Sequence, residues 1–279
     1  MSPAILGLVL AAALLHASWN ALLKQAGDRR WMTIVMQLTS MAVAGVVAVF
    51  LPLPASHSWP WLVAGAIVHI GYNIFLVRAL SLGDLGEIYP ISRGASPVMV
   101  AAGAAIAAHD HLTLQQVVGI AVVSGGIVSL RRGAGRPMPA AAILVALATA
   151  GFTAAYTIID GMGARQSAGV ASYIAWLWVL DGVFTGGWFL LAQRRDGGAR
   201  PSLGQTATGA VGGLIAMAAY SAVILATTLG ALGAVSALRE TSVLFAAVIG
   251  ALFLGERLTA ARLLSCLAIV AGSVIISLG

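Results

Sequence analysis

Charged side chains are scarce in this sequence. Asp, Glu, Lys and Arg together make up 9% of its 279 residues, whereas soluble domains carry about 25%. Hydrophobic residues account for 60% of the chain, and its mean hydropathy is +0.97. This composition excludes an ordinary soluble domain and predicts a polytopic membrane protein. The net charge of +6 does not indicate nucleic-acid binding, because the Lys and Arg residues lie mostly in short segments between apolar runs.

Cysteine and the common catalytic motifs are also nearly absent. The one cysteine, Cys266, lies in an apolar run, which excludes an internal disulfide and a cysteine-rich metal site. The sequence has no GxxxxGK[ST] phosphate loop, no HExxH motif and no nucleophile elbow. The N-terminus lacks a removable signal peptide, so its first apolar run is expected to remain in the membrane. We therefore expect a membrane protein that is not an enzyme and uses neither cofactor nor metal.

Ten apolar runs are long enough to be membrane helices, since a helix needs about 17 to 25 residues to cross a bilayer. The basic residues are divided unevenly between the loops that connect the runs: eleven in the odd-numbered loops, and Arg165 alone in the even-numbered ones. Because cytoplasmic loops collect positive charge, both termini are predicted to lie outside a bacterial inner membrane. The predicted spans are 3–24, 31–53, 60–80, 85–108, 113–131, 138–159, 170–193, 205–228, 232–254 and 259–278.

Two parts of the chain resemble each other. LGDLG at 82–86 corresponds to LGALG at 229–233, Arg93 to Arg239, and AHDHLT at 108–113 to LGERLT at 254–259. The sequence is therefore interpreted as two five-helix repeats, residues 1–134 and 135–279. Because five is odd, the second repeat must enter the membrane from the opposite side. The predicted fold is all-α, with ten transmembrane helices as two inverted repeats around a central cavity.

Arg93 and Arg239 lie inside apolar runs, about two turns from opposite membrane faces. An Arg near the bilayer centre costs roughly 2.5 to 3.5 kcal/mol on insertion scales, so such residues usually face a polar cavity or a partner. Glu240 adjoins Arg239. Two interpretations stay open: these three side chains bind a substrate or a coupling ion, or they form a structural ion-pair network between the halves.

The other acidic residues divide by their position in the predicted spans. Asp181 lies in the middle of the seventh span, where it could pair with an Arg or a His or relay protons. Asp160, Asp110 and Glu256 lie at span ends, where solvated or helix-capping roles are expected.

Polar and aromatic side chains recur at helical spacing within several spans. His16 and Asn20 are four residues apart, with Trp19 beside them, and Tyr156 occupies the position equivalent to Trp19 in the second repeat. The alternative is that such residues provide interhelical hydrogen bonds and packing. The candidate substrate-binding residues are His16, Trp19, Asn20, Tyr72, Asn73, Tyr89, Arg93, Tyr156, Tyr220, Arg239 and Glu240.

Glycines at two short turns and prolines in the fourth span are candidates for hinges. A proline frees a carbonyl in a membrane helix, and a neighbour, a water or a substrate must then satisfy it. The candidate hinge residues are Gly83, Gly86, Pro90, Pro97, Gly230 and Gly233.

Several segments together make the chain resemble the drug/metabolite transporter superfamily, in its ten-helix form with two EamA-type repeats. They are HASWNALLK at 16–24, GYNIFLVRALSLGDLGE at 71–87, YPISRGASPV at 89–98, LGERLT at 254–259 and GSVIIS at 272–277. The resemblance implies a cavity lined by the first, third, fourth, sixth, eighth and ninth helices. Within it, Trp19, Tyr72 and Tyr89 match cavity-lining positions, and Asn73 stands where some relatives have an acid.

The chain is most similar to bacterial exporters of amino acids, including aromatic ones. This implies a small-molecule substrate, a lipid bilayer as surroundings, and a monomer or weak homodimer. We expect alternating-access export of zwitterionic solutes, in which Arg93 or Arg239 holds a carboxylate and Glu240 or Asn73 an ammonium. The alternatives are transport of an anionic phosphonate or phosphate ester, and a lipid flippase or intramembrane enzyme.

Overall fold

The computed structural model describes residues 2–82, 85–129, 139–196, 202–253 and 259–279, and this part of the chain is helical without strands. Seven of its helical segments are long and apolar enough to cross a membrane, in agreement with the predicted multi-pass membrane protein. The helices are α1 (Pro3–Gln25), α2 (Arg29–Val49), α3 (Trp59–Leu82), α4 (Leu85–Ala107), α5 (Leu114–Ser129), α6 (Ala140–Gln166), α7 (Val170–Asp181), α8 (Gly187–Arg195), α9 (Leu203–Leu229), α10 (Leu232–Arg239), α11 (Ser242–Phe253) and α12 (Ala260–Leu278).

Side-chain caps define where several helices begin. Ser2 and Asp28 accept hydrogen bonds from the first-turn amides of α1 and α2. At the start of α9, Ser202 and Gln205 form a reciprocal capping box. Such caps satisfy backbone N–H groups that the first turn of a helix leaves without partners.

Three differences from the expected spans affect residues at or near the cavity. Helix α6 continues to Gln166, seven residues past its predicted end, so Asp160 is inside it. The seventh span runs through a π-helical segment, Gly182–Gly186, that joins α7 to α8. The ninth span is interrupted between α10 and α11 at Glu240 and Thr241.

The interruption has a local cause. The amides of Glu240 and Thr241 bond to carbonyls three residues back, and the Thr241 hydroxyl donates to the Leu238 carbonyl at 2.7 Å. A hydroxyl that competes for a backbone carbonyl favours such a tightened turn. No glycine or proline marks this site, so the sequence pattern did not predict it.

Glycines allow helices to approach closely at the interfaces. At the α5–α12 contact, a Cβ on Gly119 would come within 2.8 Å of the Gly272 carbonyl, and a Cβ on Gly272 would meet the Gly119 carbonyl equally closely. At the α2–α9 contact, a Cβ on Gly213 would lie 2.6 Å from the Met36 carbonyl. Small residues serve this purpose in membranes, where lipid provides little hydrophobic drive for helices to associate.

The two halves of the chain interleave. Helices of residues 2–129 pack directly on helices of residues 139–279 in the pairs α1–α9, α2–α7, α3–α6, α4–α6, α4–α10 and α5–α12. The largest buried hydrophobic cluster correspondingly combines α1, α5, α9, α10 and α12. Polar side chains from distant parts of the sequence therefore meet at the interface between the halves.

Candidate substrate cavity

A cavity of about 130 Å³ lies between the two halves. It reaches from buried polar residues in the middle of the bundle to the exposed Arg29 at the start of α2. Its described lining comes from α1, α2, α3, α6, α7, α9 and α10. The polar and aromatic members are His16, Trp19, Arg29, Thr33, Gln37, Ser40, His69, Tyr72, Asn73, Tyr156, Trp178, Asp181, Tyr220 and Arg239.

One group of charged side chains, which we name the arginine cluster, consists of His16, Arg93, Arg239 and Glu240. Glu240 Oε1 lies 3.3 Å from Arg93 Nη1 and 3.2 Å from Arg239 Nη2. Arg93 also contacts His16 Nε2. Because a guanidinium can only donate, this nitrogen of His16 must accept, which requires a neutral imidazole. The charges of these four side chains, two guanidiniums and one carboxylate, sum to +1.

The arginine cluster joins the two halves below the cavity surface. Glu240 is completely buried and Arg239 is 2% exposed. His16 and Arg239 line the cavity, whereas Arg93 and Glu240 are not among its lining residues. The ion-pair network that the sequence left as an alternative is therefore present, and one of its two arginines also faces the cavity.

A second group, the aspartate cluster, consists of His69, Asp160 and Asp181. The His69 ring lies between the two carboxylates, with Nε2 3.3 Å from Asp160 Oδ2 and Nδ1 3.2 Å from Asp181 Oδ1. His69 and Asp181 line the cavity, and Asp160 lies behind them, fully buried.

Neutral donors from other helices complete the aspartate cluster. The Tyr220 hydroxyl donates to Asp160 Oδ2 at 2.6 Å. Asp181 accepts from Gln37 of α2 at 2.8 Å and from Thr185 of the π segment at 2.7 Å. The cluster and its donors thus connect five α-helices and the π-helical segment, and the charge comes from one imidazole and two carboxylates.

Aromatic rings cover the space between the clusters. Tyr156 makes edge contacts with His69, Tyr72 and Tyr220, with ring centroids 4.5, 5.3 and 5.6 Å apart. Trp178 contacts Tyr220 on its other side and donates from its indole to Ser221 at 3.0 Å. On α1, the ring of Trp19 stands edge-on to His16. This wall offers apolar ring faces beside hydrogen-bonding groups, which suits a ligand that has both characters.

The structure brings seven of the candidate binding residues to the cavity: His16, Trp19, Tyr72, Asn73, Tyr156, Tyr220 and Arg239. Asn20 is not among the lining residues. Its side-chain amide donates to the carbonyl of His16 at 2.7 Å, within α1. Asn73 likewise donates to the carbonyl of His69 at 2.9 Å. The side chain of Tyr89 lies outside the described residues.

The helices around the cavity differ from those that the family resemblance implies. Lining residues come from α2 and α7, which were not expected, and none of the described residues of α4 is among them. Asp160, expected at a solvated span end, is buried in the aspartate cluster because α6 is longer than predicted. Tyr156 and Asp160 are four residues apart, so they share one face of α6. This spacing could have indicated from the sequence that Asp160 lies near the cavity.

At one end of the bundle, an ion pair closes the turn between α9 and α10. Arg165 Nη1 lies 2.6 Å from Asp110 Oδ1, and the same guanidinium donates to the carbonyls of Thr227 and Gly230 at 2.8 and 2.7 Å. The Leu232 amide donates to Asp110 at 2.7 Å, so Asp110 caps α10, in line with one of its expected roles. We call this set of contacts the latch.

Three candidate hinges have described surroundings, and they differ. The backbone of Gly230 is extended, a conformation open to any residue, and its carbonyl belongs to the latch. A Cβ on Gly233 would lie 2.9 Å from the Cα of Ala101, so a bulky residue there would disturb α4–α10 packing. Pro97 is buried within α4. Gly86 lies in the first turn of α4, whereas Gly83 and the side chain of Pro90 lie outside the described residues.

Residues 140–278 match the EamA-like transporter family. One solved structure, described only as "Crystal structure of protein", aligns with 100% of this chain and 98% of its own at a TM-score of 0.80 and 17% identity, which establishes a shared fold. No curated protein matches the sequence. Residues 140–278 are therefore similar to EamA-like transporters, and the whole chain shares its helical fold with a solved structure.

Proposed function

We propose that this protein exports small zwitterionic solutes, most specifically amino acids including aromatic ones, across a bacterial inner membrane by alternating access. One observation carries the proposal: the same cavity is lined by Arg239 of the arginine cluster and by Asp181 of the aspartate cluster. A zwitterion can complement both walls. A ligand with one charge would leave the opposite cluster uncompensated, which is costly in a buried site.

Arg239 is the proposed partner of the substrate carboxylate. Of the two arginines in the arginine cluster it is the one that lines the cavity, and a guanidinium can bind a carboxylate through two parallel hydrogen bonds. Asp181 is the proposed partner of the ammonium. Glu240 is less suited than the sequence suggested, because it is completely buried between two arginines and is not at the cavity wall. Trp19, Tyr72 and Tyr156 would surround the side chain of the substrate.

The pairing of helices supports an inverted repeat and a rocking motion. Suppose that the repeats correspond helix by helix: α1 to α6, α2 to α7, α3 to α9, α5 to α12, and α4 to α10 together with α11. Contacts between the halves then have counterparts in which the two halves have changed places. The α1–α9 contact corresponds to α6–α3, α2–α9 to α7–α3, and α4–α6 to contacts of α1 with α10 and α11. Such exchange is expected around a pseudo-twofold axis.

The two ends of the cavity support an inward-facing state. The lining reaches Leu23 and Arg29, which flank the first loop, predicted to be cytoplasmic. The latch holds the α9–α10 turn, which belongs to a loop predicted to lie on the outer side. With both termini outside, as the distribution of basic residues predicts, the cavity would receive solute from the cytoplasm. Release would then require the latch to open.

Counterflow in proteoliposomes tests the proposal. Vesicles loaded with one unlabelled amino acid should take up the same labelled amino acid by exchange, and aromatic amino acids should compete. Arg239→Gln should abolish this uptake. The matched control is Arg30→Gln, which removes an arginine whose ion pair with Asp196 is on the surface. The proposal fails if no amino acid exchanges while phosphate esters or another solute class exchange readily.

A further inference from the structure

We infer that the aspartate cluster is a proton-binding site, and that a proton and the ammonium group of the substrate occupy it alternately. The inference deepens the proposed function and rests on it. It makes the protein a one-to-one exchanger of protons for zwitterionic solute rather than a passive carrier.

The first support is the charge of the cluster. With His69 protonated, two carboxylates still leave a net charge of −1. In the described part of the chain, neither Asp160 nor Asp181 forms an ion pair with Lys or Arg. The other titratable groups that face the cluster are Tyr72 on α3, Tyr156 on α6, Tyr173 on α7 and Tyr220 on α9, and Arg239 on α10 faces the same cavity. One further positive charge is therefore needed for neutrality.

The second support is an unsatisfied acceptor. Asp160 is fully buried, and its Oδ1 has no hydrogen-bond partner among the described residues. This oxygen lies against Gly65 of α3, where no Cβ would fit. His69 Nε2 is also buried and approaches Asp160 without hydrogen-bond alignment. A buried carboxylate oxygen without a donor is costly, and a proton bound to Asp160 would neutralise that carboxylate and reduce the cost.

The arrangement favours a proton over a metal ion. The two carboxylates bind opposite nitrogens of one imidazole, so they do not converge on a common point. Among the described residues, no group of three His, Cys, Asp or Glu side chains could hold a metal. Gln37 donates to Asp181 Oδ2, and Thr185 and Tyr220 donate to the two carboxylate oxygens that also face His69. A proton needs no further ligands and can pass between adjacent groups.

Access to the cavity links the proton to the substrate. Asp181 and His69 are at the wall, and Asp160 lies behind it in contact with His69 and Tyr220. When the ammonium binds at Asp181, the cluster reaches neutrality and its extra proton leaves to the solution on that side. When the ammonium departs on the other side, a proton replaces it. Each cycle moves one neutral zwitterion outward and one proton inward, so one positive charge crosses the membrane.

Proteoliposomes without a solute gradient test this inference, after counterflow has established that the solute is carried. Labelled amino acid is placed at equal concentration on both sides, and a pH step of one unit or a potassium diffusion potential is imposed. One-to-one exchange should concentrate the solute about tenfold on the side that is more acidic, because one pH unit corresponds to 1.36 kcal/mol. A potential alone should also drive accumulation, on the side that is positive.

Variants separate the coupling site from general damage. Asp160→Asn should lose accumulation in response to the pH step, and any counterflow that it retains should vary less with pH than that of the wild type. His57→Gln is the matched control, since His57 is exposed and its ring hydrogen-bonds the Gln166 carbonyl at the protein surface. It should respond to the pH step as the wild type does.

The wild-type result decides the inference even if variants fail to fold. Solute that exchanges in counterflow but stays equally distributed under both gradients overturns proton coupling and leaves the transporter intact. Accumulation driven by a sodium gradient instead of a pH step also overturns it. Absence of counterflow for every amino acid overturns the proposed function together with this inference.

Discussion

Replacement of Glu240 by Gln removes the one carboxylate of the arginine cluster while keeping its shape. Arg93 and Arg239 would then be two buried guanidiniums beside a neutral amide, with the cluster charge raised from +1 to +2. Removal of one partner of a buried ion pair costs about 3 to 5 kcal/mol. Here all the contacts reach a single oxygen at 3.2 to 3.4 Å, and Oε2 has no hydrogen-bond partner in the described part of the chain. We therefore expect Glu240→Gln to lower the free energy of unfolding by about 3 kcal/mol, the lower end of this range.

The assay is thermal unfolding of purified protein in detergent or nanodiscs, followed by tryptophan fluorescence. For a chain of this size, 1 kcal/mol shifts Tm by about 2 to 4 °C, so Glu240→Gln should lower Tm by about 6 to 12 °C. A second variant makes the test specific. Arg93→Met combined with Glu240→Gln restores a cluster charge of +1 and should unfold at a higher temperature than Glu240→Gln alone.

Asp196→Asn provides the control, because it breaks an ion pair of Arg30 that is exposed on both sides and should cost no more than about 1 kcal/mol. The reasoning would be refuted if Glu240→Gln melted within 1 °C of the wild type.

Three other substitutions test the packing, the latch and the cavity wall. Gly213→Ala should destabilise the protein by about 1 to 3 kcal/mol because its Cβ would meet the Met36 backbone, whereas Gly151→Ala, with open space around it, should be neutral or stabilising in unfolding experiments. Asp110→Asn should raise amide hydrogen exchange at residues 229–232 about tenfold, since the latch loses about 1.4 kcal/mol or more; unchanged exchange there would contradict its role. Tyr220→Phe, which leaves Asp160 Oδ2 without its hydroxyl donor, should cost about 1 to 3 kcal/mol in unfolding free energy; a loss below 0.5 kcal/mol would contradict this hydrogen bond.

Much of the fold could be predicted from the sequence because lipid makes local composition decisive. Backbone polar groups in hydrocarbon must be satisfied within each segment, so apolar runs become helices whatever surrounds them. The scarcity of charge determined the class of protein, and the observed starts of α1, α4 and α10 agree with the predicted spans within a residue. An arginine in such a run also had to have a partner or a polar cavity, and both arginines have one.

Only the tertiary structure decided which side chains meet. Gln37 and Asp181 are 144 residues apart in sequence, and Arg93 and Glu240 are 147 apart, so no periodic pattern connects them. Asp160 was misassigned to a span end because helix ends depend on contacts, and α6 extends through a region that helices α3 and α9 cover. The presence of α2 and α7 in the cavity wall likewise follows from packing between the halves. Hydropathy records how each segment interacts with lipid, whereas the charges that face one another across the cavity are set by the way the two halves interleave.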